Sequence, residues 1–367
     1  MATALAEPQS VESAPPVMGP EKFYDVFHRV RRELGKVVVG QGAVIDHLLA
    51  AVFGGGHVLL TGMPGLGRTL LVKTLAEVLG LQYRRLQFTP DLLPTDIIGA
   101  EVLEHNEATG ERNFRFFKGP VFANMLLVDE INRSPTRTQS ALLEVMQERQ
   151  VTSGGQTFFL PKPFTLIATE NTLDTEGIWR LGEAQVDRFM MSIEQAYPTP
   201  EEEARIVAMT TGSHEAEAER VSTPDEVLAM QSLVREVPVV PSVRDFALAV
   251  VRASRPGEEG AAERVADSIR LGASPRAAQA LLLGAKVQAL AAGRKHVTRN
   301  DVVSVVRPVL SHRILLDVRA ESEGRDFDYI VEALVEKAQQ RSLPPASRWT
   351  REILKPFARF GRNGASN

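Results

Sequence analysis

The 367-residue chain contains no cysteine. That absence excludes disulfides, thiolate metal sites and cysteine nucleophiles, and it fits a reducing cytoplasm. No apolar run approaches the roughly 20 residues needed to span a bilayer. No Lys or Arg precedes Lys22 and no apolar segment follows it near the start, so a signal peptide is not expected. The 7 histidines include no pair at metal-ligand spacing beside carboxylates, which argues against a zinc or iron site. A Gly-x-Ser-x-Gly elbow is missing, and with it the parts for acyl-transfer hydrolysis. Charge of neither sign is in large excess: 42 Lys and Arg against 46 Asp and Glu leave −4. A binder of phosphate backbones is normally basic, so nucleic acid is not an expected partner.

What is present suits a folded chain of roughly two to three domains, with 44% hydrophobic and 24% charged residues. Residues 1–20 are rich in Ala, Pro, Ser and Glu and read as a disordered leader. A helical pattern runs from Phe23 through Phe27, Val30 and Leu34 toward Val37. Short apolar runs at His57 to Leu60, Met125 to Val128 and Phe164 to Ala168 then suit buried parallel strands with helical crossovers. Two hairpins are expected, at Glu101 to Phe117 around Asn106 to Gly110, and at Val151 to Leu160 turning at Ser153, Gly154 and Gly155. From Tyr197 onward strand signals vanish and helix starts recur at Thr199-Pro200, Thr223-Pro224 and, more weakly, Thr298 to Asp301. The expected class is α/β, a parallel sheet with hairpin insertions, followed by an all-helical lid. The boundaries are 21–196, 197–340 and a tail at 341–367.

Gly62-Met63-Pro64-Gly65-Leu66-Gly67-Arg68-Thr69 follows the strand at Val58 to Thr61 and leads into a helix from Thr69 to Leu79. In that context consecutive backbone N–H groups and a helix N-terminus can wrap a polyphosphate. Standing alone, the segment could equally be an accidental Gly-rich turn. Leu126-Leu127-Val128-Asp129-Glu130 is an apolar strand ending in two carboxylates, one placed to hold a magnesium shell and the next to polarise an attacking water. Leu166 to Asn171 is another strand ending in a polar residue, suited to orient that water.

Taken together with Gly40-Gln41, Asp129-Glu130-Ile131-Asn132-Arg133, Gln139 to Glu144, Glu183 to Phe189 and Gly272-Ala273-Ser274-Pro275-Arg276-Ala277, these segments resemble the MoxR family of AAA+ ATPases, in the right order from about Phe23 to Gln340. The resemblance implies ATP and Mg2+ at subunit interfaces of a homo-oligomeric ring, usually a hexamer. It also implies a chaperone-like role toward protein clients that often carry von Willebrand factor A domains. Carried over by position, Gly40, Gln41, Gly62, Met63, Pro64, Gly65, Leu66, Gly67, Arg68, Thr69 and Leu70 would hold the nucleotide, with Thr69 and Asp129 at the metal. Glu130 would be the catalytic carboxylate, Asn171 the first sensor, Arg276 the second sensor, and Arg188 the arginine finger offered to a neighbour. Arg276 falls in the first turn of a helix capped by Ser274, against the helix dipole, which itself suggests a bound anion. The plainer alternatives are a surface arginine at 276 and a salt bridge from Arg188 to Asp187.

The chain departs from the family pattern at three places. Arg68 stands where the family has lysine, and a planar guanidinium does not replace a compact ammonium; nucleotide binding can survive while turnover falls. Thr172 stands where proline is common, and Ile178-Trp179-Arg180-Leu181-Gly182 replaces a Tyr-Pro-Leu-Pro stretch. His312 beside Arg313 is expected on the lid surface or at an interface, and Leu281, Leu282, Leu283, Val287 and Leu290 form the core stripe of a lid helix. In the tail, Trp349, Ile353, Phe357 and Phe360 share one helical face among Arg348, Arg351, Lys355, Arg359 and Arg362. Residues 348–362 could therefore touch a membrane surface peripherally or dock on their own domain. The expected activity is ATP-driven remodelling of a protein client. The alternative is an ATP-binding scaffold or switch that hydrolyses little because of Arg68, and a DNA-remodelling motor is disfavoured by the net charge.

Overall fold

The computed structural model describes residues 18–105, 112–171, 177–212, 216–317, 320 and 325–342. The hairpin tip at Asn106 to Gly110, Thr172 and the tail at 348–362 lie outside these. Five parallel strands form the central sheet: β1 (Val58–Gly62), β2 (Tyr83–Gln87), β5 (Met125–Asp129), β8 (Thr165–Thr169) and β9 (Met191–Gln195), in the order β2-β5-β8-β1-β9. Register fixes the site before any side chain is considered. Asp129 lies opposite Gln87, Leu60 opposite Thr169, and Gly62 opposite Gln195, so the C-terminal strand ends come level along one edge. In an open parallel sheet that edge is where ligands bind.

Alternation along the strands sends side chains to two cores. Leu60, Leu127 and Ile167 bury into one face with α1 (Pro20–Val37), α2 (Gly42–Phe53) and α3 (Arg68–Leu79). Leu59, Leu126, Val128, Leu166 and Ala168 bury into the other with α5 (Thr136–Glu148). The first core is continuous with the helical half of the chain, through α10 (Pro275–Ala291), whose Leu281, Val287 and Leu290 are fully buried. The expected stripe is therefore core, although Leu282 and Leu283 are only partly buried.

The two insertions pair antiparallel as β3 (Gly99–His105) with β4 (Arg112–Lys118), and β6 (Gln150–Ser153) with β7 (Gln156–Phe159). Phe116 stacks on Phe158 at 4.5 Å between ring centroids and ties the hairpins together. Thr199, Thr223 and Thr298 each accept a hydrogen bond from the backbone N–H of the third helical residue, as their spacing predicts. Two expectations need correction. Met18 is buried and α1 begins at Pro20, so the last residues of the expected leader belong to the fold, because Met18 has an apolar core to enter. The helical half also contains strands, β10 (Ile269–Leu271) paired with β11 (Leu315–Leu316), too short to leave a periodic signal.

Candidate nucleotide site

A cleft of about 500 Å³ opens at the C-terminal edge of the sheet, lined by Gly62, Pro64, Gly65, Gly67, Arg68, Thr69, Leu70, Arg85, Gln87, Asp129, Glu130, Thr169, Glu170 and Asn171. Ten of the residues expected at the site, from three separate segments, are thus brought together. A second cleft of about 600 Å³ adjoins it, sharing Gly65, Gly67 and Leu70 and adding Gln41, Leu66, Val37 to Val39, Pro198, Ile206 and Met209. The first is bounded by charge and backbone, the second mostly by apolar side chains, a combination suited to a phosphate chain and a flat apolar base. Gly40 and Met63 line neither cleft; Gly40 precedes Gln41, and the Met63 carbonyl accepts a hydrogen bond from Arg68.

Between β1 and α3 the loop turns through left-handed backbone at Gly65 (φ 82°) and Gly67 (φ 73°). A Cβ added at either would meet nothing within 4 Å, so both glycines border open space beside the α3 N-terminus. Helix N-terminal N–H groups and the helix dipole favour an anion there.

The carboxylates are held with care. Asp129 is 8% exposed; one of its oxygens accepts from Thr169 Oγ1 at 3.3 Å and the other from Arg85 Nε at 2.6 Å. Glu130 sits in left-handed backbone (φ 57°, ψ 52°), a strained conformation for a side-chain-bearing residue, and its N–H donates to Thr169 Oγ1 at 2.9 Å. Its carboxylate accepts from Gln87 Nε2 at 2.9 Å and Asn171 Nδ2 at 3.5 Å, and pairs with Arg133 Nε at 3.0 Å. Asn132 clamps the sensor strand through both backbone groups of Asn171, donating to its carbonyl at 2.8 Å and accepting from its N–H at 3.0 Å. Burial pushes the Glu170 carboxyl above the usual carboxylate range, with Arg180 opposing.

Arg68 is turned back into its own loop. Its Nε donates to Gln195 Oε1 at 3.0 Å, and a terminal nitrogen donates to the carbonyls of Gly62 and Met63. Gln195 Nε2 donates to Gln41 Oε1 at 2.7 Å, and Gln41 Nε2 to the Leu66 carbonyl at 3.1 Å. This chain of bonds straps the loop to the end of β9. Local sequence pattern missed Arg85, Gln87, Thr169 and Gln195; their signal is strand register, which becomes legible only once the sheet order is known.

Arg188 and Arg276 stand elsewhere. Arg188 Nη1 donates to the Leu143 carbonyl at 2.9 Å, its Nε is buried without a partner, and it lines a small hollow on α5 with Glu144 and Glu148. Asp187 is not its partner. That carboxylate accepts from Ser274 Oγ at 2.9 Å and Arg313 Nε at 2.8 Å, with Arg276 Nη1 at 3.8 Å. Arg276 lines neither cleft, and its half-exposed guanidinium lies at the edge of ion-pair distance from Asp187. His312 and Arg313 are not on the surface either. Burial holds His312 at about 3, and Arg313 also donates to the carbonyls of Asp187, Phe189, Met190 and Val309.

Residues 57–191 match the ATPase family associated with various cellular activities (AAA), and residues 261–334 match the AAA lid domain. The chain is 39% identical over 326 residues to Chaperone MoxR1 of Mycobacterium tuberculosis, covering 88% of this chain and 85% of that one. The chain belongs to the MoxR family of AAA+ ATPases. YeaC of Bacillus subtilis, an uncharacterized protein, is 35% identical, with 86% and 95% covered. The crystal structure of a putative ATPase from Cytophaga hutchinsonii superposes with a TM-score of 0.79 at 41% identity, over 87% of this chain and 96% of that one. The MoxR-family fold, a parallel five-stranded sheet followed by a helical lid, is therefore that of the relatives over most of their length.

Proposed function

We propose that the paired clefts bind ATP with magnesium and hydrolyse it within a homo-oligomeric ring, a hexamer by family habit, that remodels a protein client in the cytoplasm. One observation carries the reading: a glycine cradle, a helix N-terminus, two carboxylates and a strand-end asparagine converge on one cleft from three separate segments. Gly62, Pro64, Gly65, Gly67 and the first turn of α3 would hold the phosphates, with Gln41, Leu66 and Leu70 on the nucleoside side. Thr69 and Asp129 offer the hard oxygen ligands that magnesium prefers, and it takes few from protein. Magnesium, when bound, neutralises charge developing on the terminal phosphate oxygens. The Glu130 carboxylate would draw the proton from the attacking water, and Asn171, already within reach of Glu130, would orient that water. Arg188 lies outside its own cleft and would serve that of a neighbouring subunit, and Arg276, loosely paired with Asp187, would act as the second sensor.

Exposed apolar side chains on the tied hairpins, Phe114 and Phe159 at 72% each, offer the client a grip. A von Willebrand factor A domain is the client class that the family suggests, and the name of the mycobacterial relative supports a chaperone role. One observation favours a second reading, an ATP-binding switch with little turnover: the Arg68 guanidinium is committed to Gln195 and the loop carbonyls. Nucleotide titration beside phosphate release, with and without client, separates the two. Tight binding with client-stimulated release supports the motor, tight binding without release supports the switch, and no nucleotide binding overturns both.

A further inference from the structure

The lining of the phosphate cleft contains three acids, Asp129, Glu130 and Glu170, and two arginines, Arg68 and Arg85. A terminal phosphate entering beside those acids needs a cation that can leave its present partners. Arg68 is poorly placed to do so, since it ties together Gly62, Met63 and Gln195, and moving it would undo the strap on the loop. Arg85 is in the opposite condition. It stands on β2 with its side chain 50% exposed, and its main tie is a single Nε contact to Asp129 Oδ2 at 2.6 Å. A second nitrogen reaches Gln87 Oε1 at 3.2 Å. A half-exposed ion pair contributes little to stability and is readily exchanged.

The place of Arg85 also matters. Asp129, Glu130, Arg85 and Gln87 line only the first cleft, whereas the adjoining apolar cleft is reached through Gly65, Gly67 and Leu70. Arg85 therefore lines the phosphate cleft and not the adjoining apolar one, and lies against the carboxylates. A metal at Asp129 would compete for the oxygen that Arg85 now occupies.

We propose that Arg85 is a phosphate-binding residue of this chain: its half-exposed guanidinium exchanges Asp129 for the terminal phosphate and leaves that carboxylate to magnesium. This rests on the nucleotide reading of the cleft. It gives the triphosphate a planar two-pronged donor from β2, in the role that the loop side chain at 68 is not free to fill. A guanidinium stays protonated in either position, so the cation is charged throughout.

The test is titration of the full-length chain with a fluorescent ATP analogue and the matching ADP analogue, both with magnesium, for the parent, Arg85→Ala and Arg85→Lys. The proposal expects Arg85→Ala to weaken the ATP analogue by about tenfold or more, the worth of one charge-assisted hydrogen bond, and the ADP analogue by much less. Arg85→Lys, which keeps the charge without the fork, should fall between. Should Arg85→Ala fail to fold, the ratio of ATP to ADP affinity in Arg85→Lys carries the same test. Equal weakening of both analogues, no weakening, or tighter ATP binding would make Arg85 only a neutralising partner of Asp129 and overturn the proposal. Failure of the parent chain to bind either analogue would instead overturn the reading of the cleft itself.

Discussion

Two charged regions of this chain are built on opposite plans. At the sheet edge, three carboxylates share a cleft with two arginines, each engaged with the protein's own oxygens. At the lid junction, Arg276 and Arg313 face Asp187 while the adjacent Arg188 turns to the Leu143 carbonyl, and none of the three lines that cleft. The first region offers carboxylates beside a glycine-rich loop, with its arginines already engaged; the second offers cations and no such loop. Under the proposed function each would be half of a phosphoryl-transfer site, and the contrast would explain why one chain needs another.

The sharpest way to break this comparison is to remove the cation-rich half. Arg188→Ala should lower phosphate release by about a thousandfold while nucleotide affinity of the isolated chain stays near the parent value. Glu130→Gln should abolish release and retain ATP. Mixing the two variants should restore activity that neither has alone, because some interfaces then pair an intact Glu130 with an intact Arg188. No recovery in mixed assemblies verified by light scattering would confine Arg188 to its own chain.

A smaller effect is expected on stability. Asp187→Ala leaves Arg313, whose side chain is 3% exposed, facing backbone carbonyls without its carboxylate. That should cost about 3 kcal/mol in chemical denaturation, against little change in nucleotide affinity. Arg68→Lys should raise turnover by about tenfold, a fraction of what an aimed donor is worth, with a lesser effect on affinity. An unchanged or lower rate would mean that the strap through Gln195 and Gln41 matters more than the charge.

The last expected effect is on pH dependence. His57 and His312 are both buried with values near 3, displaced downward chiefly by burial. The unfolded chain binds protons near the ordinary histidine value of about 6.5. It therefore holds more protons than the folded chain below that pH, and stability should fall as pH drops from about 6.5 toward 3. A denaturation midpoint flat across this range would refute the burial of both rings.

Much of the fold was legible because its signals are local. The apolar runs that became β1, β5 and β8 are buried on both faces, and the threonine caps act within one helical turn. β2 left little trace, since Tyr-Arg-Arg-Leu-Gln sits at the sheet edge with its long polar side chains bent over the cleft. The loop glycines, Asp129, Glu130 and Asn171 could be assigned from strand ends. The partners of Arg276 and Arg68 could not, because Asp187 and Gln195 are distant in sequence and only the sheet order and lid packing bring them near. His312 and Arg313 read as lid surface or interface, and the sequence leaves the choice between them open for the same reason: nothing in their neighbourhood announces the carbonyls of Phe189 and Met190 that receive them.

The backbone of Glu130 has a consequence for evolution and for engineering. A side chain held at φ 57° costs about 1 kcal/mol relative to glycine, which reaches that region freely. Glu130→Gly relieves that strain but gives up the ties to Gln87, Asn171 and Arg133, so it should stop hydrolysis with little change in melting temperature. A screen for thermal robustness alone would therefore not tell the dead variant from its parent.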